Sequence, residues 1–317
     1  MKVPTGTHSQ LRTRGILASL LAIAALCLAC ACTSQAHITD LASFNYTNGQ
    51  FAYAGLTLSG DGGTLYGTTS SGGVNTDGNV FSVPVGGGMV TTLATFNGAN
   101  GQYPYAGLTL IGSTLYGTTY EGGANLAGTV FSVPVGGGTP TTLATFNGTN
   151  GATPYAGLTL SADGSTLYGT TQAGGANSDG TVFSVPVGGG TVTTLATFNG
   201  TNGNGPSAGL TLSGGILYGT TQQGGANSAG TVFSVPVSGG TITDLASFNN
   251  TNGANPFGDL TLSGSTLYGT TSTGGANGDG VVFSVPTSAP EPGSAALLAL
   301  GAGAVLGWRR RRISTAS

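Results

Sequence analysis

Few side chains in this sequence suit acid–base, nucleophilic or metal chemistry, and the best of them sit at its ends. The only histidines are His8 and His37, and the only cysteines are Cys27, Cys30 and Cys32. Lys2, Arg12 and Arg14 lie near the start and Arg309, Arg310, Arg311 and Arg312 near the end; from His37 to Pro290 there is no lysine or arginine. Ser-His-Asp or Cys-His catalysis therefore has no base in the body of the chain. A zinc site has neither thiolate nor imidazole there. What remains is acidic: Asp40, Asp61, Asp77, Glu121, Asp163, Asp179, Asp244, Asp259 and Asp279. Two such carboxylates facing each other across a cleft could hydrolyse a glycoside. Most fall instead in Gly-rich turns, and Glu121 has no acidic counterpart elsewhere in the pattern. The turn Gly86-Gly87-Gly88 lacks the Lys-Ser/Thr ending of a phosphate loop. A body without cations cannot displace counterions from nucleic acid, so no nucleic-acid partner is expected. No cofactor is expected either.

The recurring aromatic and amide residues are better candidates. One position, returning about every fifty residues, holds Tyr53, Tyr105, Tyr155, Ser207 and Phe257; a second holds Asn75, Asn125, Asn177, Asn227 and Asn277. Aromatic faces stacking on pyranose rings, with amides bonding hydroxyls, would make a shallow sugar site. The competing reading is structural: tyrosines packed between repeats and asparagines capping their own turns. Asp77, Asp179 and Asp279 alternate with Ala127 and Ala229. Each loop thus offers one carboxylate at most, whereas calcium gathers six to eight oxygens, so no metal site is expected.

Five repeats must position these residues. Leu-Tyr-Gly-Thr-Thr returns at Tyr66, Tyr116, Tyr168, Tyr218 and Tyr268, and Val-Phe-Ser-Val-Pro at Phe81, Phe131, Phe183, Phe233 and Phe283. A period near fifty is that of kelch-sized propeller blades. The third copy reads as four strands, 156–160, 165–171, 181–185 and 192–198, parted by Asp-Gly and triple-Gly turns. Pro186 cannot donate to a ladder and should end the third strand. Such small sheets bury both faces only by packing on one another, as in a propeller. The body opens with a fourth strand lacking the first three, Ile38 to Asn45, which copies Ile242 to Asn249. The last copy lacks a fourth strand. The expected fold is all-β, a five-bladed β-propeller with the N-terminal strand completing the last blade; the alternative is a β-solenoid. Both face-sharing loop families, the one before the first strand and the one between the second and third, would emerge on one side of it.

The ends read as addresses. Residues 1–36 have a basic start, an apolar run from Ile16 to Ala31, and Ser34-Gln35-Ala36, which places signal cleavage after Ala36. Residues 37–288 are the repeat domain. Residues 289–317 carry Pro290-Glu291-Pro292, an apolar run from Gly293 to Trp308 suited to a short transmembrane helix, and Arg309 to Arg312 as a cationic stop. In order and spacing this tail resembles the PEP-CTERM sorting signal. The resemblance implies an exosortase-type enzyme as partner, cleavage near Pro290-Glu291-Pro292, a transient inner-membrane anchor, and a destination in the cell envelope or extracellular matrix. The repeats, through Gly-Leu-Thr-Leu, Leu-Tyr-Gly-Thr-Thr, Gly-Gly-Ala-Asn-x-Asp-Gly and Thr-Val-Phe-Ser-Val, resemble the GloVer-type tandem repeat of bacterial envelope proteins. That resemblance implies a propeller and a location, and no activity.

The functional expectation is an exported, non-enzymatic matrix protein with extracellular polysaccharide as a partner. A carboxylate-based polysaccharide hydrolase or lyase is one alternative, and an inert or ice-facing surface, suggested by the many threonines, is another.

Overall fold

Short runs of Val, Thr, Leu, Tyr and Phe bounded by glycine turns favour strands over helices, and the computed structural model, which describes residues 38–288, contains twenty of them. The first blade comprises β1 (Thr57–Leu58), β2 (Thr64–Thr69), β3 (Asn79–Pro84) and β4 (Thr91–Thr95). The second comprises β5 (Thr109–Ile111), β6 (Thr114–Thr119), β7 (Thr129–Pro134) and β8 (Thr141–Thr145). The third comprises β9 (Thr159–Leu160), β10 (Thr166–Thr171), β11 (Thr181–Pro186) and β12 (Thr193–Thr197). The fourth comprises β13 (Thr211–Ser213), β14 (Ile216–Thr221), β15 (Thr231–Pro236) and β16 (Thr243–Ser247). The fifth comprises β17 (Ala254–Pro256), β18 (Thr261–Ser263), β19 (Thr266–Thr273) and β20 (Val282–Pro286). Each of the first four is an antiparallel meander in sequence order, and in the fifth β19 pairs with β17, β18 and β20. The fold is a β-propeller. A solenoid would pair strands between successive repeats; here every sheet is built within one repeat among the described residues.

The repeat motifs are packing instructions. The glycine of Leu-Tyr-Gly-Thr-Thr lies opposite the phenylalanine of Val-Phe-Ser-Val-Pro, Gly67 against Phe81 in the first blade. A Cβ on Gly67 would sit 2.5 Å from Phe81 Cζ, so the ring lies flat only on a residue without a side chain. The same phenylalanine meets the outer-strand phenylalanine of the preceding repeat edge-on, as Phe96 meets Phe131 at 4.9 Å. Four apolar clusters fill the four seams between consecutive blades. Each fully buried phenylalanine is worth roughly 1.5–3 kcal/mol over leaving it exposed.

Threonine hydroxyls stitch the seams. Thr57 Oγ1 donates to Leu108 O and Thr109 Oγ1 to Leu158 O, both at 2.6 Å, while Thr68 Oγ1 donates to Ala106 O of the next blade at 2.9 Å. Thr119 and Thr129 share a buried Oγ1–Oγ1 bond of 2.8 Å, as do Thr171 and Thr181. This limits the surface reading of the threonines: the pair in Leu-Tyr-Gly-Thr-Thr is buried in the first four copies, most of its hydroxyls bonded inside the fold and those of Thr69 and Thr220 without a partner, so it is withdrawn from any ice-facing array.

A second correction concerns closure. Residues 38–45 form no strand, and among the described residues the outer edge of β20 has no partner. Residues 41–288 belong to one compact unit. Within it Leu41 O accepts from Gly88 N at 2.9 Å and Phe44 meets Phe81 at 4.9 Å. The segment thus occupies the place that a preceding blade's outer strand takes on the first blade, without completing the fifth. Val282 is 81% exposed, whereas its counterpart Val130 is fully buried.

No helix among the described residues is long and apolar enough to cross a membrane. Ala36, Pro290, Glu291, Pro292, Arg309, Arg310, Arg311, Arg312 and the apolar run between them lie outside the described residues.

Candidate functional site

The aromatic position is placed by a strained residue two positions before it. Phe51, Tyr103, Thr153 and Asn255 have positive φ of 53 to 58°, and Gly205 has φ of 66°. Such angles are uncommon for residues with a side chain, above all for β-branched threonine. In copies two to five the strained residue bridges two blades. Tyr103 N donates to Asp77 O in the preceding blade, and Tyr103 O accepts from Tyr120 N in its own. Thr153 does the same between Ala127 and Gln172, and Gly205 between Asp179 and Gln222. A buried proline follows, Pro104, Pro154, Pro206 or Pro256, and Pro104 Cδ packs on the bare face of Gly78. The first blade has no preceding blade to meet, and Ala52 stands in the proline's place.

This lead-in gathers the rings into one patch. Tyr105 stacks on Tyr155 at a centroid distance of 5.2 Å and an interplanar angle of 22°. Tyr53 meets Tyr105 at 5.9 Å, and Phe51 lies nearly parallel to Tyr53 at 6.0 Å. Tyr120 stands edge-on to Tyr105 at 5.4 Å and to Tyr155 at 6.2 Å. Phe257 reaches Tyr155 at 5.7 Å across the fourth blade, where Ser207 is small, buried, and bonded to Gln172 Nε2 at 3.0 Å. Tyr105 and Tyr155 are half-buried against each other; Tyr53 (65% exposed), Phe51 and Phe257 (48%) are open. Burial, then the neighbouring Tyr155, Tyr53, Tyr120 and Tyr103, pushes the Tyr105 phenol above its ordinary pKa. Phe51, Tyr103 and Tyr120 were not singled out from the sequence. Phe51 and Tyr103 occupy the strained position, and the only available signal was their spacing of two from a predicted ring.

The asparagines behave otherwise. Asn75 Nδ2 donates to Phe96 O at 2.8 Å, and Asn125, Asn177 and Asn227 repeat this with Phe146, Phe198 and Phe248 at 2.9–3.2 Å. Each amide nitrogen thus ties its loop to the end of the blade's outer strand. Asn277, in the fifth blade, has no such outer strand and is exposed. Asn75 lines an outer groove of about 460 Å³ with Asn97 and Asn100, apart from the rings. The structure therefore assembles Tyr53, Tyr105, Tyr155 and Phe257 and leaves the five asparagines out.

The carboxylates are dispersed. Glu121 Oε2 accepts from Gln102 Nε2 at 3.1 Å, and Asp179 Oδ1 from Asn204 Nδ2 at 2.6 Å. Burial alone raises the pKa of Asp77. On the β9–β10 hairpin, Ser161 and then the Ser165 amide and hydroxyl hold Asp163 down at about 2. Among the described residues no three His, Cys, Asp or Glu side chains gather as a metal site would require.

A family model described as the Gloeobacter/Verrucomicrobia repeat matches residues 31–165 and again residues 160–299. No curated protein matches the chain. Among solved structures, a chain of a nidogen/laminin complex is 18% identical, with 69% of this chain and 72% of that one covered and a TM-score of 0.46. A TolB-like protein from Agrobacterium tumefaciens is 14% identical, with coverages of 73% and 82% and a TM-score of 0.46. A gluconolactonase from Xanthomonas campestris is 13% identical, with coverages of 73% and 71% and a TM-score of 0.45.

Proposed function

This chain belongs to the Gloeobacter/Verrucomicrobia repeat family, and we propose that it is an exported, non-enzymatic propeller of the cell envelope or extracellular matrix that binds neutral polysaccharide on its aromatic patch. The observation that carries the reading is the patch itself: Phe51, Tyr53 and Phe257 stand open beside half-buried Tyr105 and Tyr155, in a body without a single lysine or arginine. Open rings offer flat apolar faces to the CH faces of sugars, and the tyrosine hydroxyls offer hydrogen bonds to theirs. The missing cations decide the class of glycan. Uronate or sulfate polymers would meet only like charge, so the partner is uncharged. The dispersed carboxylates and the absence of any histidine or lysine between residues 38 and 288 support binding without turnover. Sorting by an exosortase-type enzyme at Pro290-Glu291-Pro292 belongs to the same reading.

A glycan array with the purified protein tests it. Neutral glucans, galactans or mannans should be retained equally at low and high salt, since no ion pair contributes. Acidic glycans should not be retained. Tyr53→Ala with Phe257→Ala should weaken binding about tenfold or more, the equivalent of roughly 1.4 kcal/mol. Retention of acidic glycans alone, or binding indifferent to both substitutions, would overturn the reading.

A further inference from the structure

The same face holds a feature that sugar binding does not use: a knot of phenols. Tyr53, Tyr105, Tyr120 and Tyr155 come from the first three repeats, and Tyr105 touches the other three at centroid distances of 5.2–5.9 Å. At such separations ring edges are in van der Waals contact. Tyr120 also meets Tyr155 at 6.2 Å, and outside these four no aromatic contact joins two tyrosines among the described residues; Tyr66, Tyr116, Tyr168 and Tyr218 stand singly in separate seams. The body has no cysteine or tryptophan, and Met89 is its only methionine. An electron removed from the body by a one-electron oxidant therefore comes from a tyrosine, and only in this knot does a tyrosyl radical find a second phenol in contact.

We propose that Tyr53, Tyr105, Tyr120 and Tyr155 form an oxidative cross-linking site, where a haem-peroxidase-type oxidant couples neighbouring phenols into dityrosine. Each phenol gives up one electron and its hydroxyl proton. The two radicals join through ring carbons ortho to oxygen, and the two displaced ring hydrogens return the oxygens to hydroxyls. Two tyrosines and one hydrogen peroxide thus yield one dityrosine and two waters, and the protein loses two hydrogens per link. Links through Tyr105 staple the first three blades to one another. Tyr53, the most exposed of the four, is the one placed to join a second molecule.

The test treats the full chain with a haem peroxidase and hydrogen peroxide, separates monomer from oligomer, and maps linked peptides by mass. Cleavage at aspartate is used because trypsin has no site between residues 38 and 288. Monomer should carry links within the Tyr53, Tyr105, Tyr120 and Tyr155 set, and dimer links through Tyr53. Tyr105→Phe, which keeps the ring packing, should cut intrachain dityrosine about tenfold, while Tyr168→Phe should leave it unchanged. Urea-unfolded chain should lose the preference. Links spread evenly over the solitary tyrosines, no intrachain link, or a Tyr105→Phe yield equal to the parent's would overturn the proposal. The inference stands apart from sugar binding: Tyr105→Phe keeps every open ring, so glycan retention and dityrosine yield fail separately.

Discussion

Two regions of one repetitive chain can be set side by side: the seam between the second and third blades, and the unclosed flanks of the first and fifth. They are made of the same residues. In the internal seam Phe146, Val130 and Leu158 are buried; their counterparts Phe44, Val282 and Leu56 are 38%, 81% and 53% exposed. Tyr116 is buried, and Tyr268 is half out in solvent. A blade's apolar pattern therefore does not bury itself. It prepares two complementary faces, and burial arrives only when a neighbour presents the matching one, as expected of an array stabilised by nearest-neighbour interfaces.

Truncation should separate the two regions most sharply. Phe146→Ala removes a fully buried ring that meets Phe183 edge-on at 4.9 Å and should cost about 3–5 kcal/mol in denaturant unfolding. Phe44→Ala, at the open flank, should cost less than about 1 kcal/mol. Equal losses would show that the Leu41–Asn45 segment is enclosed in solution, and the contrast between the seams would disappear.

A smaller effect is expected inside the first blade. Where the second and third blades pair threonines through their hydroxyls, the first places Asn79 beside Thr69. Both are fully buried, and neither Asn79 amide atom nor Thr69 Oγ1 has a hydrogen-bond partner. Asn79→Thr should restore the hydroxyl pair and raise stability by about 1–2 kcal/mol, read as a higher denaturation midpoint. A lower midpoint would mean that the amide is satisfied in solution, by an ordered water for instance.

The smallest effects concern two surface acids on opposite faces. Burial raises the pKa of Asp77 above 3.8, so its charge opposes folding at neutral pH. That opposition fades as pH falls through the folded-state value and is gone below 3.8. Asp163, held at about 2 by Ser161 and Ser165, contributes stability above 3.8 that is lost as pH falls toward 2. Carboxyl titration by NMR should order the midpoints with Asp77 above 3.8 and Asp163 near 2. Asp77→Asn should raise stability at neutral pH and remove the gain that acidification brings at this site, and Asp163→Asn should lessen the fall between pH 4 and 2. The reverse order of midpoints would contradict the loop geometry of both sites.

What the sequence alone determined is the unit. The period near fifty, four strands per repeat and their borders to within a few residues follow from alternating β-formers, Gly turns and the proline closing each third strand. Even the bare glycine of Leu-Tyr-Gly-Thr-Thr was legible as a mark, although its cause, the ring of Phe81 or its equivalents lying upon it, was not. Only the tertiary structure decided how like residues are used. Ile38–Asn45 repeats Ile242–Asn249 letter for letter, yet Thr243–Ser247 is a strand and the earlier copy is not, because pairing needs an edge within reach. Asn75 and its copies looked like ligand-binding amides; a carbonyl some twenty residues further along the chain claims each nitrogen in the first four blades. The tyrosines looked like a ring of equals, and Ser207 and the open flank made them a one-sided patch centred on Tyr105. Local propensity acts on neighbours in sequence, and these outcomes were set by neighbours in space.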